Sequence, residues 1–196
     1  MAKLYFRHGT VGSAKTLNLL AVAHNYQQQG KNVLILKPKL DVRFGAQTVK
    51  SRAGLEKEAD MLLEANTTIP TDKLKDKDCI LVDEAQFLSE QIIDQLRHIA
   101  TYHRVPVICY GLRSDFKTKL FSGSRRLMEI ADSIEEVKTT CAFCNKKAIF
   151  NLKFKDGQPT RVGPSVDLGA EEKYQPVCAP CYEKKLGDCF RGGAAE

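Results

Sequence analysis

The segment Gly9 to Thr16 reads GTVGSAKT, and it stands between an apolar-rich run, Lys3 to His8, and a helical pattern, Lys15 to Gln29. In that pattern Leu17, Leu20, Ala21, His24 and Gln28 recur at steps of three and four, and Gly30 occupies the place of a left-handed C-terminal residue. Strand, glycine-containing loop and helix is the order that a phosphate-binding loop needs. Its consecutive backbone N–H groups turn inward on an anion, a helix N-terminus stands behind them, a lysine reaches the β and γ phosphates, and a hydroxyl meets Mg²⁺. Gly9, Thr10, Val11, Gly12, Ser13, Ala14, Lys15 and Thr16 are therefore expected to cradle the phosphates of ATP, with Lys15 and Thr16 in the last two roles. Ala14 departs from the pattern, standing where its final glycine is expected; at positive φ its methyl would cost about 1 kcal/mol or somewhat more.

Beyond this unit the chain alternates between strand and helix signals. Asn32 to Leu36, Cys79 to Val82 and Val105 to Tyr110 are continuous apolar runs of the kind buried on both faces of a parallel sheet. Gly54 to Glu64 is expected to be a second, mostly polar helix. Ser89 can cap another, whose Ile92, Ile93, Leu96, Ile99 and Ala100 share one face. The fold class expected is α/β, a P-loop NTPase-like, doubly wound, mostly parallel sheet. Thr118 to Arg126 is a basic connecting stretch, and Leu127 to Ala131 continues a helix. After Val137 the composition shifts towards Cys, Lys, Gly and Pro, which places a nucleotide-binding domain over 1–137, a small second domain over 138–190 and a tail over 191–196. Pro159 to Ala170 has no helical or strand period and is expected to be a long loop.

CILVDEAQF sets Asp83 and Glu84 at the C-terminal end of an apolar strand, where open α/β sheets bind their ligands. With a phosphate-binding loop upstream, Asp83 is expected to hold Mg²⁺ beside Thr16, and Glu84 to act as a base towards the incoming nucleophile. Seen alone, the pair reads better as an acidic strand end that merely caps or is solvated.

Four of the seven cysteines fall in two CxxC pairs, Cys141 with Cys144 and Cys178 with Cys181, separated by 33 residues. Four thiolates suit a closed tetrahedral Zn²⁺ site with no position open for water, hence a structural role; a redox pair is the rival for either CxxC. Cys79 and Cys109 fit buried strand positions, whereas Cys189 has no assigned role. The 30 basic and 24 acidic residues give a net charge of +6, scattered rather than striped, which suits a nucleotide better than a large nucleic-acid surface. No apolar run approaches the roughly 18 residues that span a membrane, and no secretory signal opens the chain, so a cytoplasmic location is expected.

The loop at 9–16, VDEAQF, GLRSDF and the four-cysteine arrangement holding VDLGAEEKYQPVC come in an order that resembles the zinc-containing P-loop thymidine kinase family of bacteria and the animal cytosol, from Lys3 to about Lys185. The resemblance implies transfer of the γ-phosphate of ATP to the 5′-hydroxyl of thymidine, or of deoxyuridine. It implies that Glu84 accepts the proton, that Asp83, Glu84, Ala85 and Gln86 adjoin the ATP site, and that Phe87 lines the nucleoside pocket. Asp41 and Arg43 match its DxR element near the reacting groups, a pair that otherwise reads as solvated surface. Leu112, Phe116 and Phe121 match apolar positions around the base, though as bare sequence each reads as core. Val11 also faces the base, while Val166, Asp167, Leu168, Gly169 and Tyr174 match a lasso that closes over thymine and is held by the zinc unit. A homotetramer and feedback inhibition by dTTP are further implications. The alternatives from other classes are a zinc-ribbon ATPase that binds nucleic acid and an idle nucleotide-binding module.

Overall fold

A computed structural model describes residues 2–42, 45, 47–166 and 173–187. In chain order the elements are β1 (Leu4–His8), α1 (Lys15–Gln28), β2 (Val33–Pro38), β3 (Thr48–Lys50), β4 (Glu56–Glu58), β5 (Met61–Leu63), β6 (Cys79–Val82), α2 (Glu90–His98), β7 (Val107–Gly111), α3 (Ser122–Ile130), β8 (Ser133–Glu136), β9 (Phe150–Lys155), β10 (Gln158–Thr160), β11 (Tyr174–Val177) and α4 (Ala179–Leu186). Six strands form one sheet in the order β5-β2-β6-β7-β1-β8, every neighbouring pair parallel.

Alternation along the strands assigns the two faces. Leu34, Leu36, Ile80, Val82, Val107 and Cys109 pack with Ile92, Ile93 and Leu96 of α2 and Leu127 of α3. Val33, Ile35, Cys79, Leu81, Ile108 and Tyr110 pack on the other side with Leu19, Leu20 and Ala23 of α1. Helices thus cover both faces, the doubly wound arrangement expected from the continuous apolar runs. Ile92, Ile93 and Leu96 are fully buried, a contribution of roughly 1.5 to 3 kcal/mol each. The hydroxyl of Ser89 caps α2 by accepting from the N–H of Ile92.

Two expectations need correction. Gly54 to Glu64 is no helix: Gly54 has φ of +87°, and Ser51 closes a turn, its N–H donating to the Leu55 carbonyl at 2.8 Å and its hydroxyl donating there at 3.1 Å. This turn joins β3 to β4 as an antiparallel hairpin anchored by buried Val49, and β5 then pairs with β2. The second correction concerns Thr118 to Arg126, where α3 already begins at Ser122. Its Arg125 meets Glu90 at 2.6 Å and its Arg126 meets Asp94 at 2.7 Å, so the basic stretch lies against the acidic side of α2. The preceding loop is tied by Asp115, whose Oδ1 accepts the N–H groups of Lys117 and Lys119 at 2.9 Å.

β9, β10 and β11 form a separate antiparallel sheet in the order β10-β9-β11. With α4 it encloses its own core of Leu152, Val177 and Tyr182 beside Cys141 and Cys178. The expected loop over Pro159 to Ala170 therefore starts inside β10, and its residues 167–170 lie outside the described residues. No helix of the described residues is long and apolar enough to cross a membrane.

Candidate active site

β1 ends at His8, and the chain turns through the loop 9–14 into α1, which starts at Lys15. A Cβ on Gly9 would lie 2.4 Å from the Ser13 hydroxyl and 2.5 Å from the Val137 carbonyl oxygen, so the first residue of the loop has room for glycine alone. Ala14 has φ of +62° and Gly12 has +70°, so the alanine does carry the left-handed conformation for which glycine is favoured. Lys15 is buried and its Nζ donates to the Thr10 carbonyl at 2.7 Å and the Ser13 hydroxyl at 3.3 Å. The Thr16 hydroxyl reaches across to Asp83, at 3.3 Å from Oδ1 and 3.2 Å from Oδ2. A hydroxyl and a carboxylate side by side at a strand end form the hard-oxygen donor set that suits Mg²⁺.

Glu84 follows with φ of +50°, a conformation that costs a non-glycine residue of order 1 to 3 kcal/mol and is retained where the surroundings demand it. The surroundings here centre on Gln86, which is 1% exposed. Its Nε2 donates to Glu84 Oε2, and its Oε1 accepts the Leu112 N–H at 3.0 Å, so one side chain ties the carboxylate to the end of β7. A Cβ on Gly111 would approach Gln86 Oε1 to 2.7 Å; glycine at this position admits the amide.

The cleft in front of these groups has a volume of about 400 Å³, within the range of small-molecule sites. Residues 12–16, Asp83, Glu84 and Gln86 line its polar side. Val11, Phe87, Leu112, Phe116, Phe121, Val166 and Tyr174 supply its apolar side. Phe87 and Phe121 meet edge to face with ring centres 5.8 Å apart, and Phe116 lies 6.0 Å from Tyr174. The Tyr182 hydroxyl donates to the Phe116 carbonyl at 2.5 Å, linking this wall to α4.

Several expected residues either do not line the cleft or lie outside the described residues. Gly9, Thr10 and Ala85 are not on the surface of the cleft. Asp41 is buried against Lys37, whose Nζ lies 3.3 Å from Asp41 Oδ2 and donates to the Thr48 carbonyl at 3.0 Å; it does not line the cleft either. Arg43, Asp167, Leu168 and Gly169 lie outside the described residues, as does Cys189. Conversely, the sequence reading missed Lys50, Ser51, Arg52, Ala53, Asp115, Asn151 and Ser165, which all line the cleft. Arg52 Nη1 comes within 3.8 Å of where a Cβ on Gly12 would stand, so the β3–β4 turn lies against the loop 9–14. A glycine-bearing polar stretch is the signal that the sequence offers for that hairpin, and its helix-forming residues read as a helix instead.

Away from the cleft, the sulfurs of Cys141, Cys144, Cys178 and Cys181 all lie within 4.8 Å of one another. Cys144 stands 3.5 Å from Cys178 and 3.7 Å from Cys181, near the roughly 3.8 Å between sulfurs expected for tetrahedral Zn–S bonds of about 2.3 Å. The thiols do not titrate alike. Burial raises Cys141, but N–H donors from Cys178 and Phe143 outweigh it and hold this thiol well below its ordinary value. Cys181 is pushed up, first by Cys178 and then by burial. Such a set can ionise together only around a cation, so these residues could hold a metal ion, and their sulfur donors fit zinc.

A family model described as "Thymidine kinase" matches residues 2–182. The thymidine kinase of Lactiplantibacillus plantarum is 46% identical over 184 residues, 93% of this chain and 96% of that protein. That of Lactococcus lactis is 42% identical over 186 residues, 94% and 98% of the two chains. Among solved structures the Pif1 helicase of Candida albicans aligns with a TM-score of 0.41 and 13% identity over 69% of this chain and 36% of that one, a likeness that carries no argument.

Proposed function

The chain belongs to the thymidine kinase family, and on that premise we propose that it transfers the γ-phosphate of ATP to the 5′-hydroxyl of thymidine, giving dTMP and ADP. The observation that carries the chemistry is the meeting of Thr16 with Asp83, 3.2 Å apart, immediately beside Glu84 in one cleft. Mg²⁺ arriving with ATP would be held by Thr16 and Asp83 and would neutralise charge on the β and γ phosphates.

The protein's own groups do the rest. Backbone N–H groups of the loop and Lys15 bind the phosphates. Glu84 takes the proton from the 5′-hydroxyl as that oxygen bonds to the γ-phosphorus and the bond from phosphorus to the β-γ bridging oxygen breaks, with ADP leaving. Positioning supplies most of the rate, since a sugar hydroxyl is a poor nucleophile. Gln86 keeps the Glu84 carboxylate aimed, and Arg52, near Gly12, adds positive charge to that of Lys15. The family resemblance implies that Arg43 and Asp41 act near the transferred group; Asp41, buried against Lys37, would do so without lining the cleft itself. Val11, Phe87, Leu112, Phe116, Phe121 and Tyr174 surround the base, and the segment 166–169 closes over it as a lasso.

In this reading the chain divides near Lys138 into the nucleotide-binding domain, 1–137, and a second domain, 138–190, in which Zn²⁺ on Cys141, Cys144, Cys178 and Cys181 crosslinks the base of the lasso. The enzyme is a cytoplasmic homotetramer inhibited by dTTP. Thymidine outcompetes deoxyuridine modestly, since one methyl in an apolar pocket is worth ~1 to 3 kcal/mol.

Incubation with MgATP and a panel of nucleosides tests the reaction. ADP release that requires thymidine supports it. Turnover stimulated by DNA or RNA but not by nucleosides would overturn it in favour of a nucleic-acid ATPase, and no turnover with any of them would refute it in favour of an idle module.

A further inference from the structure

Asn151 belongs to β9, the central strand of the small sheet, yet its side chain reaches out of that sheet. Its Oδ1 accepts the N–H of Val11 at 2.9 Å, bridging 140 positions of sequence, and its Nδ2 donates to the Ser114 carbonyl at 3.1 Å. Asn151 is 4% exposed; its bond to Ser114 is buried and its bond to Val11 partly so, and an unmet partner at such a site is costly. Behind it the ladder leads to the cysteines: Asn151 is paired with Pro176, and the Pro176 carbonyl accepts the Ala142 N–H at 2.8 Å, between Cys141 and Cys144. We infer that Asn151 is a positioning residue for the phosphate loop, the clamp through which the cysteine-bearing unit holds residues 10–13 in the shape that receives ATP.

The geometry requires both ends of the carboxamide. An acceptor alone would hold Val11 without fixing it to the β7 end, and a donor alone would leave the loop unheld. This inference rests on the reading of residues 9–16 as the ATP site.

The test compares wild type, Asn151→Ala and Asn151→Ser, the serine being polar but too short to span both partners. Affinity for a fluorescent ATP analogue with Mg²⁺, the KM values for ATP and thymidine, metal content and amide hydrogen exchange are measured on folded protein. Expected is about tenfold weaker ATP binding, faster exchange over residues 9–16 and unchanged metal content. Should the alanine variant not fold, the serine variant reports the same quantities. Unchanged ATP affinity and exchange in either folded variant would overturn the clamp, as would a raised thymidine KM with ATP binding intact, which would make Asn151 a nucleoside contact. A wild type that binds no ATP analogue, or binds it equally after Lys15→Ala, would instead sink the phosphate-loop reading itself.

Discussion

The hydroxyl of Thr16 lies 3.2 Å from a carboxylate oxygen of Asp83, although 67 positions separate them in the chain. Parallel strands β1 and β6, each next to β7, bring the two together at the C-terminal ends of the strands. Asp83→Asn keeps the shape of this contact and removes a charge from a hard-cation donor set. The expected outcome is a Mg²⁺ requirement raised at least tenfold, with kcat lowered even at saturating metal, read from initial rates across a magnesium titration. An unaltered magnesium dependence would contradict the role of Asp83.

Gln86 is the support of Glu84, and Gly111 makes room for Gln86. Gln86→Leu is expected to lower kcat by roughly tenfold or more by releasing the carboxylate, an effect the size of a lost buried hydrogen bond to a charged group. Gly111→Ala, which would put a methyl against the Gln86 amide, is expected to act in the same direction. ATP affinity should change little in Gln86→Leu, and a steady-state comparison of kcat with ATP KM checks this.

About one Zn²⁺ per chain is expected by metal analysis, lost in Cys178→Ser. Because the cysteines adjoin the core of Leu152, Val177 and Tyr182, the variant should also melt at lower temperature, and strong chelators should reproduce that shift in wild type. Wild-type protein with no bound metal would remove the site.

Burial lowers the pKa of His8, and the positive charge of Arg113 lowers it further. The folded state therefore binds this proton less readily than the unfolded chain, whose histidine titrates near 6.5. Stability tied to the neutral ring is fully present above about pH 6.5 and is lost as pH falls from there through the folded-state value. His8→Gln should flatten that part of the profile relative to wild type, as measured by denaturant unfolding from pH 8 to 5. Parallel profiles would contradict the assignment.

What was legible in the sequence follows from where each signal resides. β6 was expected over Cys79 to Val82 and is found there, because four consecutive apolar residues leave no other way to be buried on both faces. The loop at 9–16, the Asp83–Glu84 pair and the cysteine spacing were equally visible, since each is a local requirement of chemistry. The hairpin was not. Glu56, Lys57 and Glu58 are good helix formers with no apolar alternation, and they are held extended by the Ser51 turn and by pairing with a strand that buries only Val49. A helix over that stretch hides Arg52, and the start of α3 is not legible because its arginines are neutralised by acids on α2, a partnership no local pattern displays. Asn151 carried no signal at all: a lone asparagine in a strand discloses nothing until its two partners are in view.

Glu84 is the group on which the proposed chemistry turns, and Glu84→Gln is its most direct trial, because glutamine keeps the size and hydrogen-bonding reach of the side chain while removing its basicity. The measurement is thymidine-dependent ADP release by the variant beside wild type, with ATP affinity recorded on the same samples. Expected is a kcat lower by about 100-fold or more with ATP bound as tightly as before; a variant that keeps most of its turnover would contradict the assignment of Glu84 as the base.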